Sequence, residues 1–245
     1  MVSSRPQRAF TLIELLVVVS LIALLCSMLL PSLSAARNAA KATQCLANLH
    51  ACGVAMAGYQ SENADRFWPY ALVNHPATGV RCYFWGTDAD PVDPRPSPFM
   101  KHLDANLAHL WCPMLPWGSY IPQGSYVAEP TTTYGYNGRF LDPTLNGRSC
   151  RRSAEVRQPA DLFVLADTAM AWAPGGVAIL QNSTYLEPVN GNWTQLPTNH
   201  FRHGERTHAL TADGRASAFG TEGWPISSKH RLGFVGTENF PHYEQ

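Results

Sequence analysis

An apolar run near the N-terminus limits what this chain can fold into. It extends from Phe10 to Leu30, twenty-one residues that include one charged side chain, Glu14. At about 1.5 Å of rise per residue, a helix of this length spans roughly 30 Å, which matches the hydrocarbon core of a bilayer. Two arginines precede the run, and Arg37 and Lys41 follow it. The distribution of basic residues therefore does not indicate which end of the run faces the cytoplasm. The sequence predicts a membrane-spanning helix.

Glu14 requires an explanation, because a carboxylate in a lipid-facing helix is costly and usually marks a partner or a function. Three other interpretations of the run stay open. It could be a stop-transfer anchor that tolerates the charge, a buried helix of a soluble protein, or a secretory signal cleaved after the small residues 34–36. The signal-peptide interpretation is weakened by the length of the run and by Glu14 itself.

Residues Arg8–Val17, RAFTLIELLV, are similar to the prepilin-type cleavage and methylation motif of type IV pilins and type II secretion pseudopilins. The resemblance implies that a prepilin peptidase removes a leader, residues 1–9, by cutting between Ala9 and Phe10. It also implies that the new N-terminus is methylated. Ala9 stands where the family usually has glycine, and because alanine is still small, we expect the peptidase to accept it.

The resemblance also gives Glu14 a role in assembly. After the cut it would be the fifth residue of the mature chain, where the Phe10 ammonium group of a neighbouring subunit could neutralise it. Such a pair offsets a burial cost that neither charge could bear alone, and it selects one axial offset between subunits. The implied partners are the prepilin peptidase, other pseudopilin subunits and the membrane.

The composition changes near Asp65. All seven tryptophans follow Phe67, and the segment before it is rich in alanine, leucine and asparagine. This change predicts a helix over residues 10–65, with 10–30 in the membrane, and an exported head over residues 66–245. After Pro31 an apolar stripe with spacings of three and four predicts that the helix packs on the head: Ala42, Cys45, Leu49, Cys52, Met56 and Tyr59.

Short β-type runs follow in the head, separated by proline, glycine and asparagine. They are Val80–Trp85, Thr131–Tyr136, Asp161–Ala166, Val177–Leu180, Arg206–Ala212 and Arg215–Phe219. Asp213-Gly214 between the last two predicts a hairpin with a type I′ turn. The pattern predicts an α+β, pilin-like fold in which the long helix packs on an antiparallel sheet, with long loops over 86–110 and 181–200.

A second resemblance covers much of the head. The segments that carry it are CLANL at Cys45–Leu49, WCP at Trp111–Pro113, YGYNG at Tyr134–Gly138, PADLFVLAD at Pro159–Asp167, and His203 separated by nine residues from Asp213-Gly214. Together they resemble a pilin-like group with an H-x9-D-G signature. The resemblance implies export and a pilin-like architecture, with His203, Asp213 and Gly214 as structural residues.

The six cysteines include no C-x-x-C pair. In an oxidising compartment Cys112 is expected to pair with a cysteine of the helix. Cys45 is preferred because both residues lie in segments that resemble the H-x9-D-G group.

Candidate metal ligands have weaker support. His200, His203 and His208, with Asp167 or Asp213, could bind a metal, but hydrogen bonds to backbone or carboxylate groups are the favoured interpretation, so no metal is predicted. His203 is expected to bond to backbone or to another acid such as Asp167, because an extended strand would hold it roughly 20 Å from Asp213. A calcium loop at Asp88, Asp90 and Asp93 stays open beside a solvated acidic turn.

The formal net charge is +0 with 15% charged residues, which excludes the basic field of a nucleic-acid-binding protein. The sequence contains no motif that is typical of a serine nucleophile, a zinc peptidase, a phosphate-binding loop or a dinucleotide-binding fold. We therefore expect that the protein is not an enzyme and needs no cofactor. The sequence predicts a structural pseudopilin, single-pass in the cytoplasmic membrane, with its head outside the cytoplasm. A membrane-anchored binding module, for example for polysaccharide, and an anchored hydrolase are the alternatives.

Overall fold

The apolar run forms the N-terminal part of one long helix, α1 (Leu12–Glu62), which contains Pro31. The structure is a computed structural model that describes residues 12–72, 81–87, 92–115, 121–122, 132–143, 149–172, 179–189, 197–221 and 230–245. Contacts divide the chain into two compact units, one up to Ala40 and one from Lys41 to Gln245. In the first unit every described side chain is exposed, and α1 is long and apolar enough to cross a membrane.

Two residues just after the end of α1 have a left-handed backbone conformation. Ala64 has φ 53° and Asp65 has φ 58°. The Asp65 amide donates to the Gln60 carbonyl at 2.9 Å, and the Asn63 side chain donates to the Tyr59 carbonyl at 2.7 Å. Carbonyls of the last helical turn thereby gain partners, which is how helices commonly end.

The second unit adds a short helix, α2 (Gly138–Leu141), and strands that are mostly two to five residues long. The strands are β1 (Ala71–Leu72), β2 (Cys82–Tyr83), β3 (Gly86–Thr87), β4 (Ile121–Pro122), β5 (Tyr134–Tyr136), β6 (Phe163–Asp167), β7 (Met170–Trp172), β8 (Ile179–Asn182), β9 (Asn199–His200), β10 (Thr207–Thr211), β11 (Ala216–Phe219) and β12 (Leu232–Gly233). The central sheet has the order β11-β10-β6-β5, and each of its neighbouring pairs is antiparallel. The α+β fold predicted from the sequence is confirmed.

The details of the head differ from the prediction in three places. The segment predicted as a loop over 181–200 contains the end of β8 and all of β9. Three small sheets, β1-β2-β3, β4-β8-β7 and β12-β9, accompany the central one, and β4 pairs with β8 in parallel. The segment predicted as a loop over 86–110 contains β3 and the 3-10 helices Met100–Leu103 and Leu107–Leu110. These elements are too short to show a sequence period, and they form because Met100, Leu103 and Leu110 are buried in the core.

The predicted stripe of α1 faces the core of the second unit from Cys45 onward, whereas Ala42 is half-buried. Cys45, Leu49, Cys52, Met56 and Tyr59 are all buried there, together with Leu165 of β6 and Leu210 of β10. Gly53 permits a close approach, since a Cβ atom at this position would lie 2.8 Å from the Gly214 carbonyl oxygen. The helix therefore packs directly on the central sheet, next to the turn between β10 and β11.

Candidate functional site

The predicted cleavage site and the predicted assembly residue lie near the N-terminal end of the sequence. Ala9 and Phe10 fall outside the described residues, so the structure does not test the predicted cut. Glu14 lies in the first turn of α1 and is exposed. A carboxylate in this turn is favoured by the partial positive charge at the N-terminus of a helix.

A group of candidate site residues meets inside the second unit. Cys45 comes from α1, Asp167 ends β6 and His208 lies in β10. Cys112 follows the 3-10 helix at Leu107–Leu110, and His203 precedes β10. We call these five residues the buried cluster.

The contacts within the buried cluster are short. His203 Nε2 lies 3.2 Å from Asp167 Oδ2 and 3.2 Å from Cys112 Sγ, and Cys45 Sγ lies 3.7 Å from Asp167 Oδ1. The His208 backbone amide donates to Asp167 Oδ2 at 2.9 Å, and the His208 ring stacks on the His203 ring with centroids 3.8 Å apart. The predicted contact between His203 and Asp167 is confirmed. Cys45, Asp167, His203 and His208 present potential metal-ligand atoms within 4.8 Å of one another.

Charges explain how a carboxylate can be buried at this point. Burial alone would raise the pKa of Asp167. The charges of Arg202 and His203 outweigh this effect and lower the pKa to about 2. Arg202 Nε lies 3.6 Å from Asp167 Oδ1. Burial would lower the pKa of His203, yet its hydrogen bond to Asp167 raises it to about 9. Burial lowers the pKa of His200 to about 3 and that of His208 to about 4. No sequence pattern indicated that Arg202 would supply the cation beside Asp167.

The two thiols of the buried cluster differ in their acidity. Burial raises the pKa of Cys45. Burial also acts to raise the pKa of Cys112, but contacts with Cys45 and His203 outweigh it and lower the pKa to about 6. Both residues are free thiols in the structure, and each alters the pKa of the other. The disulfide between Cys45 and Cys112 stays a prediction.

Asp213 and Gly214 form the turn between β10 and β11. Asp213 Oδ1 accepts from the Arg215 amide at 3.1 Å and from Thr211 Oγ1 at 2.5 Å. The predicted type I′ turn is wrong, because it requires positive φ at both central residues and only Gly214 of the pair has it, at 88°. The Gly214 amide donates to the Thr211 carbonyl and the Thr211 amide donates to the Arg215 carbonyl, which is the pattern of a three-residue loop with glycine in the left-handed position.

We expect Gly214→Val to lower the free energy of unfolding by about 1–3 kcal/mol, because a β-branched residue is strained at φ 88°. Gly220→Val is the matched control, since a Cβ atom there meets no atom within 4 Å and no positive φ is required. The measurement is denaturant unfolding of the detergent-solubilised full-length protein. Equal stability of the two variants would contradict the prediction.

The acidic turn is only partly described. Asp88 and Asp90 lie outside the described residues. Asp93 binds Arg95 through two contacts of 2.8 and 2.9 Å, and these hydrogen bonds lower the pKa of Asp93. The calcium loop stays an open alternative.

Comparison with protein families matches residues 4–30 to the prokaryotic N-terminal methylation motif. Comparisons with curated proteins and with solved structures find no match. The matched segment includes Ala9, Phe10 and Glu14 and continues into α1. With a prepilin-type methylation motif at residues 4–30 and a long apolar helix behind it, the chain is consistent with a type IV pilin-like protein.

Proposed function

We propose that this protein is a structural pseudopilin-like subunit of a type II secretion or type IV pilus-like apparatus. The observation that supports this most is the methylation motif at residues 4–30, which leads directly into an apolar helix whose described side chains are all exposed in the first unit. A helix of this composition requires an apolar environment, which a bilayer or the helices of neighbouring subunits can provide.

In this proposal residues 1–9 are a leader that the prepilin peptidase removes, residues 10–65 are the N-terminal segment that contains α1, and residues 66–245 form the head. The helix anchors the protein in the cytoplasmic membrane by a single pass, with the head outside the cytoplasm. Other pseudopilin subunits contact the helix during assembly, and Glu14 pairs with the methylated N-terminus of a neighbour.

The buried cluster does not favour the anchored hydrolase. In a Cys-His-Asp triad the nucleophile and the acid contact different ring nitrogens of the histidine. Cys112 and Asp167 both contact Nε2 of His203, while Nδ1 has no hydrogen-bond partner among the described residues. All three side chains are buried, so a substrate could not reach the thiol without rearrangement.

The binding module gains no support from the described tryptophans. Trp68 and Trp85 are buried and Trp111 is half-buried, so these three provide no exposed platform for stacking sugar rings. The structural subunit is therefore the function that the described residues support best.

Processing provides the direct test. In a host with a prepilin peptidase, we expect the mature protein to begin at Phe10 and to carry an N-methyl group, as determined by intact mass and N-terminal sequencing. Ala9→Gly should be processed at least as fast as the wild-type protein. Ala9→Leu should remain almost entirely unprocessed, because its side chain is no longer small. A native chain that begins at Met1 or near Ala36 would refute the proposal.

A further inference from the structure

Four side chains of the buried cluster bring potential metal-ligand atoms close together, with Cys112 in contact with His203, and His203 and Cys45 in contact with Asp167. They are Cys45, Cys112, Asp167 and His203, and each is at least nine-tenths buried. We propose that they form a structural zinc site that joins α1 to the central sheet of the head. This inference goes beyond the proposed pseudopilin function and does not depend on it.

Three of the separations between these ligand atoms are close to the edge lengths of a zinc tetrahedron. With Zn–N and Zn–O bonds of about 2.0–2.1 Å and Zn–S bonds of about 2.3 Å, the edges of a regular tetrahedron measure about 3.3–3.8 Å. His203 Nε2 lies 3.2 Å from Asp167 Oδ2 and 3.2 Å from Cys112 Sγ. Cys45 Sγ lies 3.7 Å from Oδ1 and 4.0 Å from Oδ2 of Asp167. These ligand atoms would need only small shifts in position to contact a bound zinc ion.

The chemistry of the ligands selects the metal. Two thiolates and an imidazole exclude calcium and magnesium, which take oxygen ligands. Four protein ligands in a buried position leave no open coordination site for water, which is typical of structural zinc sites. The site therefore stabilises the fold and activates no nucleophile.

The charges of the site balance when zinc is bound. Two thiolates and one carboxylate contribute three negative charges, a neutral His203 contributes none, and Zn²⁺ leaves a net charge of minus one. Arg202, whose Nε lies 3.6 Å from Asp167 Oδ1, supplies the compensating positive charge. Buried charges require such compensation.

Other groups orient the ligands. The Tyr134 hydroxyl donates to Cys45 Sγ at 3.1 Å, and the His208 backbone amide donates to Asp167 Oδ2 at 2.9 Å. Hydrogen bonds of this kind hold metal ligands in place and raise affinity. His208 acts through its backbone and through ring stacking on His203, so it is a positioning residue in this assignment.

The test is the metal content and the cobalt spectrum of the full-length protein, purified in detergent without chelator from a host supplied with zinc. We expect about one zinc per chain by elemental analysis. Replacement by Co²⁺ should give the thiolate-to-cobalt charge-transfer band and the intense visible absorption of a tetrahedral site. Both readouts use the unmodified protein, so they do not depend on the folding of a variant.

Variants then assign the ligands. Cys112→Ser and His203→Gln should weaken zinc binding more than about 100-fold, since the loss of an orienting group alone costs about 10–100-fold. Cys52→Ser is the matched control, because this buried thiol of α1 contacts the His109 carbonyl and lies outside the cluster. His208→Gln should retain the metal.

Three results would overturn the assignment. The first is wild-type protein that contains no stoichiometric zinc and shows no cobalt–thiolate band. The second is a disulfide between Cys45 and Cys112 in the native protein. The third is full metal content in both Cys112→Ser and His203→Gln.

Discussion

Glu14→Ala is expected to leave the protein in the membrane and to remove at least about 99% of its incorporation into assemblies. In the proposed subunit the carboxylate pairs with the N-terminal ammonium of a neighbour in apolar surroundings. The removal of one partner from such a pair costs about 3–5 kcal/mol, because the other charge is left uncompensated. This cost corresponds to more than about 100-fold in an association constant. Alanine is the best helix former, so α1 should persist.

The experiment uses a host that lacks the wild-type copy and compares assembled subunits with subunits in the membrane fraction. Glu14→Asp keeps the charge and should retain part of the assembly, whereas Glu14→Gln keeps the shape and should behave like Glu14→Ala. Ser20→Ala is a control in the same helix, since the Ser20 hydroxyl donates to the Val17 carbonyl one turn earlier. Unchanged assembly of Glu14→Ala would show that the carboxylate is not required.

Trp68→Ala should cause the largest loss of stability, about 3–5 kcal/mol in the free energy of unfolding. Trp68 is 1% exposed and follows the end of α1. Its ring stacks on Phe99 at 4.0 Å and on Tyr136 of β5 at 4.9 Å. Alanine at this position would leave a cavity between the helix, the central sheet and the segment that contains Met100–Leu103.

Trp68→Phe is the matched control. Phenylalanine keeps an aromatic ring against Phe99 and Tyr136, and it removes the indole N–H, which is buried without a hydrogen-bond partner in the described part of the chain. We expect a loss of about 1 kcal/mol, because the smaller volume is partly offset by the removal of an unsatisfied donor. Denaturant unfolding of both variants checks this order, and an equal loss would show that the stack is not what stabilises this region.

Local sequence patterns were sufficient to predict part of this structure. The length and composition of the apolar run predicted a long helix, and the stripe from Cys45 to Tyr59 correctly indicated which face of α1 packs on the head. These predictions succeed because a helical period repeats along the chain and does not depend on distant residues. The hairpin at Asp213-Gly214 was predicted from its two turn residues, but its turn type was wrong, since Asp213 uses its side chain to stabilise a three-residue loop.

The sequence by itself determined the leader-like motif, the long helix and the α+β class. Only the tertiary structure decided which side chains surround Asp167. Cys45 and Asp167 are 122 positions apart, and Cys112 and His203 are 91 positions apart. Their meeting depends on how α1 packs on β6 and β10, with Gly53 against the turn at Gly214. A one-dimensional pattern carries no information about such packing, because the contact forms only when separate elements bury their apolar faces together.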